Sequence, residues 1–190
     1  MASISQASAR PAGSLDTLGL LSEITIRDAR PDDAAAYVAL QRALFGETSF
    51  LLFAPDEYLV SPEDACVQLE KIANSGSGRR LLAIDQGDLV GFLGVSGSPI
   101  PRIRHSAQLV IGVLRSYWHR GVGQTLLTEV IRWAPTVGLS RLELFVMKSN
   151  SRAISLYERM GFRVEGHRQR AYIIDGVPVD DQLMAYVFEA

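Results

Sequence analysis

Cysteine is nearly missing: Cys66 stands alone in the chain, which excludes an internal disulfide and a thiolate-rich metal site. That economy suits a reducing cytosol, the expected compartment. Histidine is scarce too. His105, His119 and His167 are the three present, far apart and without ligand spacing, so no bound metal is expected. Charge of one sign is also lacking. With 19 Lys and Arg against 21 Asp and Glu, the net charge is −2, too little to gather nucleic acid or anionic lipid. Nor is there a long apolar run. Leu18 to Leu21 is far shorter than a signal-peptide core, and nothing later would span a bilayer. Nucleic acid and membrane are therefore not expected partners.

What is present is an ordinary core. The hydrophobic fraction is 47% over 190 residues, which suits one domain with a leader. Residues 1–22 are rich in Ser, Ala and Gly and offer no periodic face to bury, so they read as a flexible leader. The domain is expected over 23–190.

Glu23 to Asp28 alternates apolar and polar residues, as a half-buried strand does. Pro31-Asp32-Asp33 then opens a helix with Tyr37, Leu40, Leu44 and Phe45 on its apolar face. Ser61-Pro62-Glu63-Asp64 is a helix start, and that helix should run to about Asn74. Leu81 to Asp85 and Leu89 to Val95, joined through Gln86-Gly87-Asp88, predict a hairpin. Ser106 to Val113 is a further strand, Gly121 to Trp133 a helix, and Arg141 to Val146 another strand. Ser151 to Met160 is a helix stopped by Gly161. The remainder predicts two strands around Asp175-Gly176. The order is that of an α/β protein in the broad (α+β) sense, a mixed sheet with helices on its faces.

Two segments carry chemistry. The first is the turn from Arg115 to Gly123, between a strand and a helix. A helix N-terminus presents unpaired N–H groups and partial positive charge, and glycines let the backbone approach a ligand closely. With Arg120 as a mobile cation, the turn suits a pyrophosphate. Equally, the glycines could only relieve turn strain. No Gly-Lys-Ser/Thr follows, so this is not a P-loop, and it is a poor dinucleotide fingerprint. The second segment sets Asn150 at a strand-to-helix junction and Tyr157 seven residues on, on the same helical face. Asn150 read alone is a helix cap, and Tyr157 read alone is core.

Taken together, Trp118 to Gly123 and Asn150 through Tyr157 to Gly161-Phe162 resemble the acetyl-CoA-binding half of the GCN5-related N-acetyltransferase (GNAT) superfamily. Element order is similar from about residue 23 to 189. Within the superfamily the motifs resemble bacterial amino-acid and small-amine acetyltransferases. The resemblance implies a mostly antiparallel central sheet flanked by helices, acetyl-CoA as cosubstrate, no metal, and a small-molecule primary amine as acceptor. It implies that His119, Arg120, Gly121, Val122 and Gly123 bind the pyrophosphate through backbone N–H groups. Ile111 and Val113 would offer backbone hydrogen bonds to the pantetheine arm, Asn150 would lie near the thioester, and Tyr157 would protonate the departing thiolate. Trp118 departs from the pattern, which usually has Gln or Arg there, so one polar group facing the phosphates is lost. Candidates for the base are Glu47, Glu57, His105 or water. The segments Gly46 to Val60 and Ser96 to His105 and the final hairpin are expected around the acceptor. A homodimer through the last strands is a further expectation. Three alternatives stay open: a protein N-terminal or lysine acetyltransferase, a non-catalytic acetyl-CoA-binding regulatory module, and a nucleotide-binding domain.

Overall fold

The computed structural model describes residues 24–189; the leader expectation lies outside the described residues. Strand β1 (Thr25–Asp28) leads through a 3-10 turn at Pro31–Asp33 into helix α1 (Ala34–Glu47). Arg27 Nη1 meets Asp33 Oδ2 at 2.6 Å across that corner, and its guanidinium holds the Asp33 carboxyl below the usual carboxylate range. Helix α1 runs through Gly46 to Glu47. Helix α2 (Pro62–Ala73) starts as its sequence predicts, with Ser61 Oγ accepting from the Asp64 N–H at 3.1 Å.

Strands β2 (Arg79–Asp85) and β3 (Asp88–Gly97) form the expected hairpin. Gln86 and Gly87 turn it with φ of 51° and 97°, both positive, as the twist of a two-residue turn demands. Then come β4 (Ser106–Val113), α3 (Val122–Trp133), β5 (Arg141–Met147), α4 (Ser151–Arg159), β6 (Arg163–Ile174) and β7 (Val177–Val187). The final hairpin turns on Asp175 and Gly176, at φ 49° and 76°.

All seven strands lie in one sheet, ordered β1-β2-β3-β4-β5-β7-β6. Every neighbouring pair is antiparallel except β4 with β5. The fold class is therefore the one the resemblance implies.

Successive strand residues face opposite sides, so each strand feeds two cores. Leu82 and Phe92 join Tyr37, Leu40 and Leu44 of α1. Leu81, Ala83 and Leu93 join Leu126, Leu127 and Val130 of α3, together with Leu109, Leu142, Leu144 and Phe162. Ala34 and Val38 of α1 pack on Ala65 and Leu69 of α2, with Cys66 half-buried beside them. Helix packing is thus the fate of the lone thiol. No helix among the described residues is long and apolar enough to cross a membrane.

The parallel pairing of β4 with β5 runs only from Ser106↔Arg141 to Gln108↔Glu143. Beyond it the strands part. β4 stays paired with β3 up to Val113, and β5 stays paired with β7 up to Met147. The sheet therefore opens at its middle, and what lies in that opening decides the function.

Candidate active site

A cleft of about 470 Å³ fills the opening. Its walls are β4 from Leu109 to Val113, β5 from Leu144 to Val146, the starts of α3 and α4, and Thr48, Phe50 and Leu51 after α1. The Leu114 N–H donates to Val90 O at 3.0 Å, toward β3. Strand alternation then turns the backbone groups of Ile111 and Val113 away from β3, into the opening. Trp118 agrees: its Nε1–H donates to Val113 O at 2.7 Å. One carbonyl lone pair of Val113 is thereby used, while its N–H and both groups of Ile111 face the cleft.

The turn after β4 is bent to present backbone. His119 and Gly121 take left-handed conformations, with φ of 61° and 81°. Gly121 is the N-cap of α3 and supplies no side-chain cap. The first hydrogen bond of the helix is Thr125 N–H to Gly121 O, at 2.9 Å. The N–H groups of Val122, Gly123 and Gln124 therefore have no partner inside the helix, where the dipole is positive. That is the chemistry a pyrophosphate needs.

Two details add to the sequence reading of this turn. Arg120 turns its side chain toward Asp85 and Tyr117: its Nη2 lies 3.7 Å from Asp85 Oδ2 and its guanidinium sits 4.5 Å from the centre of the Tyr117 ring. Gly123 does more than open space for a ligand. A Cβ there would stand 3.0 Å from Leu156 Cδ2 of α4 and 3.8 Å from Ile111 Cδ1. Gly123→Val is therefore expected to weaken acetyl-CoA binding and also to cost about 1–3 kcal/mol of stability through overpacking. Calorimetric titration beside urea unfolding checks this, and an unchanged unfolding midpoint would contradict it.

Trp118 carries its own compensation. The Arg152 guanidinium stacks 3.0 Å from its ring centre, with Arg115 at 5.3 Å. Burial and the like charge of Arg115 hold the Arg152 pKa below its ordinary value. The sequence offered only the bare Arg152; its place over Trp118 needed the fold.

On α4, Asn150 Oδ1 caps the helix by accepting from the Ala153 N–H at 3.2 Å. Capping uses only that oxygen, and the residue also lines the cleft. Tyr157 lines it too, at 7% exposure. Its ring packs 5.9 Å from that of Phe162. Burial pushes its pKa well above the ordinary tyrosine value, with Arg152 opposing. The phenol therefore stays protonated through neutral pH and well beyond.

None of the three side-chain base candidates lines the cleft. Glu47 Oε2 accepts from the Arg115 N–H at 2.7 Å, and Glu57 Oε2 from the Ala54 N–H at 2.8 Å. Both carboxylates fasten loops. His105 is exposed at the start of β4, where its carbonyl accepts from the N–H groups of Ser140 and Arg141. No carboxylate appears among the residues that line the cleft, and His119 is the histidine among them. Of the segments expected around the acceptor, the one after α1 reaches the cleft; 96–105 and the final hairpin do not. Among the described residues no three His, Cys, Asp or Glu side chains converge as a metal site would require.

A sheet split at its centre, with an uncapped helix start at one end of the gap, is built to hold a long phosphate-bearing ligand. The Acetyltransferase (GNAT) family model matches residues 45–162, and the chain belongs to that family: it is an acetyl-CoA-dependent N-acetyltransferase acting on amines. The L-amino acid N-acetyltransferase AaaT of Escherichia coli (strain K12) is 32% identical over 170 residues, covering 88% of this chain and 99% of that protein. A GNAT-family acetyltransferase structure from Streptococcus pneumoniae superposes with a TM-score of 0.85 at 37% identity, covering 87% of this chain and 100% of that one. The ribosomal-protein-alanine N-acetyltransferase structure from Brucella melitensis gives 0.77 at 26% identity, covering 86% and 99%.

Proposed function

We propose that this enzyme acetylates the primary amine of a small molecule, an amino acid or a related amine. The observation that carries the reading is the similarity to an L-amino acid N-acetyltransferase over 99% of that protein's length. The domain is assigned to 23–190.

Acetyl-CoA supplies an activated thioester that a neutral amine can attack. The pyrophosphate is assigned to the backbone N–H groups from His119 to Gly123, with Arg152 as the neighbouring cation. The pantetheine arm is assigned to the inward backbone groups of Ile111 and Val113, and Asn150 is assigned a contact near the thioester. A backbone N–H on the open edge of β4 also suits a developing oxyanion. Tyr157 Oη gives its proton to the departing sulfur. With no carboxylate at hand, water takes the proton of the amine. The α-amine of a free amino acid is more basic than a peptide N-terminus because its own carboxylate stabilises the ammonium form, so the small free-base fraction present at neutral pH is what attacks.

Free-thiol release from acetyl-CoA, followed across amino acids, polyamines, aminoglycosides and peptides, tests the assignment. An amino acid should give the highest kcat/KM. Preference for a peptide N-terminus would overturn it, in favour of the activity named for the Brucella relative. CoA at about 100 times its dissociation constant should add roughly 2.7 kcal/mol of stability. A melting curve that moves with ATP and not with CoA would contradict the cosubstrate assignment.

A further inference from the structure

Five arginines among the described residues are half-buried: Arg27, Arg79, Arg80, Arg141 and Arg152. Arg27 holds Asp33, Arg79 holds Asp28, and Arg141 holds Glu143 and Glu165. Arg80 and Arg152 hold no acid. Taking a guanidinium out of water without a counter-charge is costly, and the cost is met when an anionic ligand arrives. Arg152 stands at the start of α4, on the side assigned to the phosphates. Arg80 stands on the opposite face of the sheet, under α1.

Two aromatic rings and a glycine hold Arg80 in place, and no acid among the described residues pairs with it. Its Cζ lies 5.6 Å from the ring centres of both Tyr37 and Phe92. Its Nε is buried without a hydrogen-bond partner. Gly94, its neighbour on β3, leaves room for the guanidinium: a Cβ at Gly94 would fall 1.8 Å from Arg80 Nη1 and 3.1 Å from Val110 Cγ1. The guanidinium thus reaches across β3 to Val110, which pairs with Gly94, lines the cleft and is 45% exposed. One strand spacing, about 4.8 Å, separates Gly94 from Val110. Arg80 does not itself line the cleft, so a carboxylate would meet it at the cleft's edge, over Val110, with the amine directed toward the gap between β4 and β5.

We infer that Arg80 is the specificity residue that receives the carboxylate of the acceptor and so selects α-amino acids over simple amines. This rests on the amino-acid reading above. The unmatched half-buried cation on the face opposite the phosphate side carries it.

The test compares wild type, Arg80→Met and Arg80→Lys on the best L-amino acid of the screen and on its carboxamide, which keeps the amine and loses the charge. Arg80→Met should lose about 30- to 1000-fold in kcat/KM on the amino acid, through KM, as expected for truncating one side of a charge pair. On the carboxamide the change should stay within about threefold. Arg80→Lys should recover part of the loss. CoA affinity should not move, and the melting temperature of Arg80→Met should hold or rise, because a half-buried charge without a partner has been removed. Equal losses on both acceptors with a lower melting temperature would make Arg80 a packing residue and overturn the inference. So would an Arg80→Met enzyme that keeps full activity on an amino acid the wild type acetylates, with the amino-acid reading left intact. A wild type that acetylates no amino acid would overturn both.

Discussion

Tyr157→Phe is expected to lower kcat by about 10- to 100-fold while leaving acetyl-CoA affinity and melting temperature nearly unchanged. General acid catalysis contributes about 10²- to 10⁴-fold, and two features push this case to the low end or below it. A thiol titrates near 8.5, so its thiolate already leaves well. Burial raises the Tyr157 pKa above its ordinary value, which makes the phenol a weaker acid as well as a dependably protonated one. Stability should hold because Phe keeps the packing on Phe162 and removes a hydroxyl that makes no hydrogen bond to another described residue. The pH profile gives the sign. Activity should climb with pH through and above 8 as the acceptor amine, held protonated by its own carboxylate, loses its proton. The ratio of wild type to mutant should stay level through neutral pH and well into the alkaline range, because burial keeps Tyr157 protonated there. A kcat within about twofold of wild type at every pH would leave Tyr157 as core and require another proton source.

The second large effect belongs to stability. Asp181 on β7 is fully buried, and Arg168 on β6 reaches it with two guanidinium nitrogens, Nε at 2.9 Å and Nη2. The arginine side chain is 47% exposed and its Cζ lies 3.8 Å from the centre of the Phe145 ring, which lines the cleft. The pair is asymmetric, so its two halves should not cost the same. Arg168→Met strands a buried carboxylate beside the Tyr172 hydroxyl. The expected loss is about 3 kcal/mol, the lower end for breaking a buried pair. For a chain of this size that is a melting temperature roughly 6–12 °C lower. Asp181→Asn leaves an amide that can still accept from an arginine already in contact with water, and should cost about 1 kcal/mol. Urea unfolding of both variants decides the matter. A larger loss from Asp181→Asn would show that the buried carboxylate is not what makes the pair matter.

Local chemistry was legible wherever neighbouring residues settle it. Ser61 caps α2, Gly161 stops α4 at φ 93°, and Gln86-Gly87 and Asp175-Gly176 turn hairpins. In each case the hydrogen bonds and backbone angles lie within a few residues of chain, so the sequence specifies them directly. The two signatures were readable for the same reason: each is a strand-to-helix junction whose glycine or asparagine shapes the backbone on the spot. The fate of single polar side chains was not legible. Glu47, Glu57 and His105 are chemically fit to be a base, yet Glu47 closes on Arg115, 68 residues away. Likewise, nothing near Arg120 in the chain announces Asp85.

The sequence by itself determined the elements, their order, and the glycine turn that leaves backbone N–H groups unpaired at the start of α3. Alternation says which residues of a strand share a face, and it says nothing about which strand lies alongside. Tertiary structure therefore decided that β7 folds between β5 and β6, that β4 and β5 part after Gln108 and Glu143, and that Arg80 lies across Gly94 without an acid. Each of these depends on backbone edges and charges brought together from distant parts of the chain.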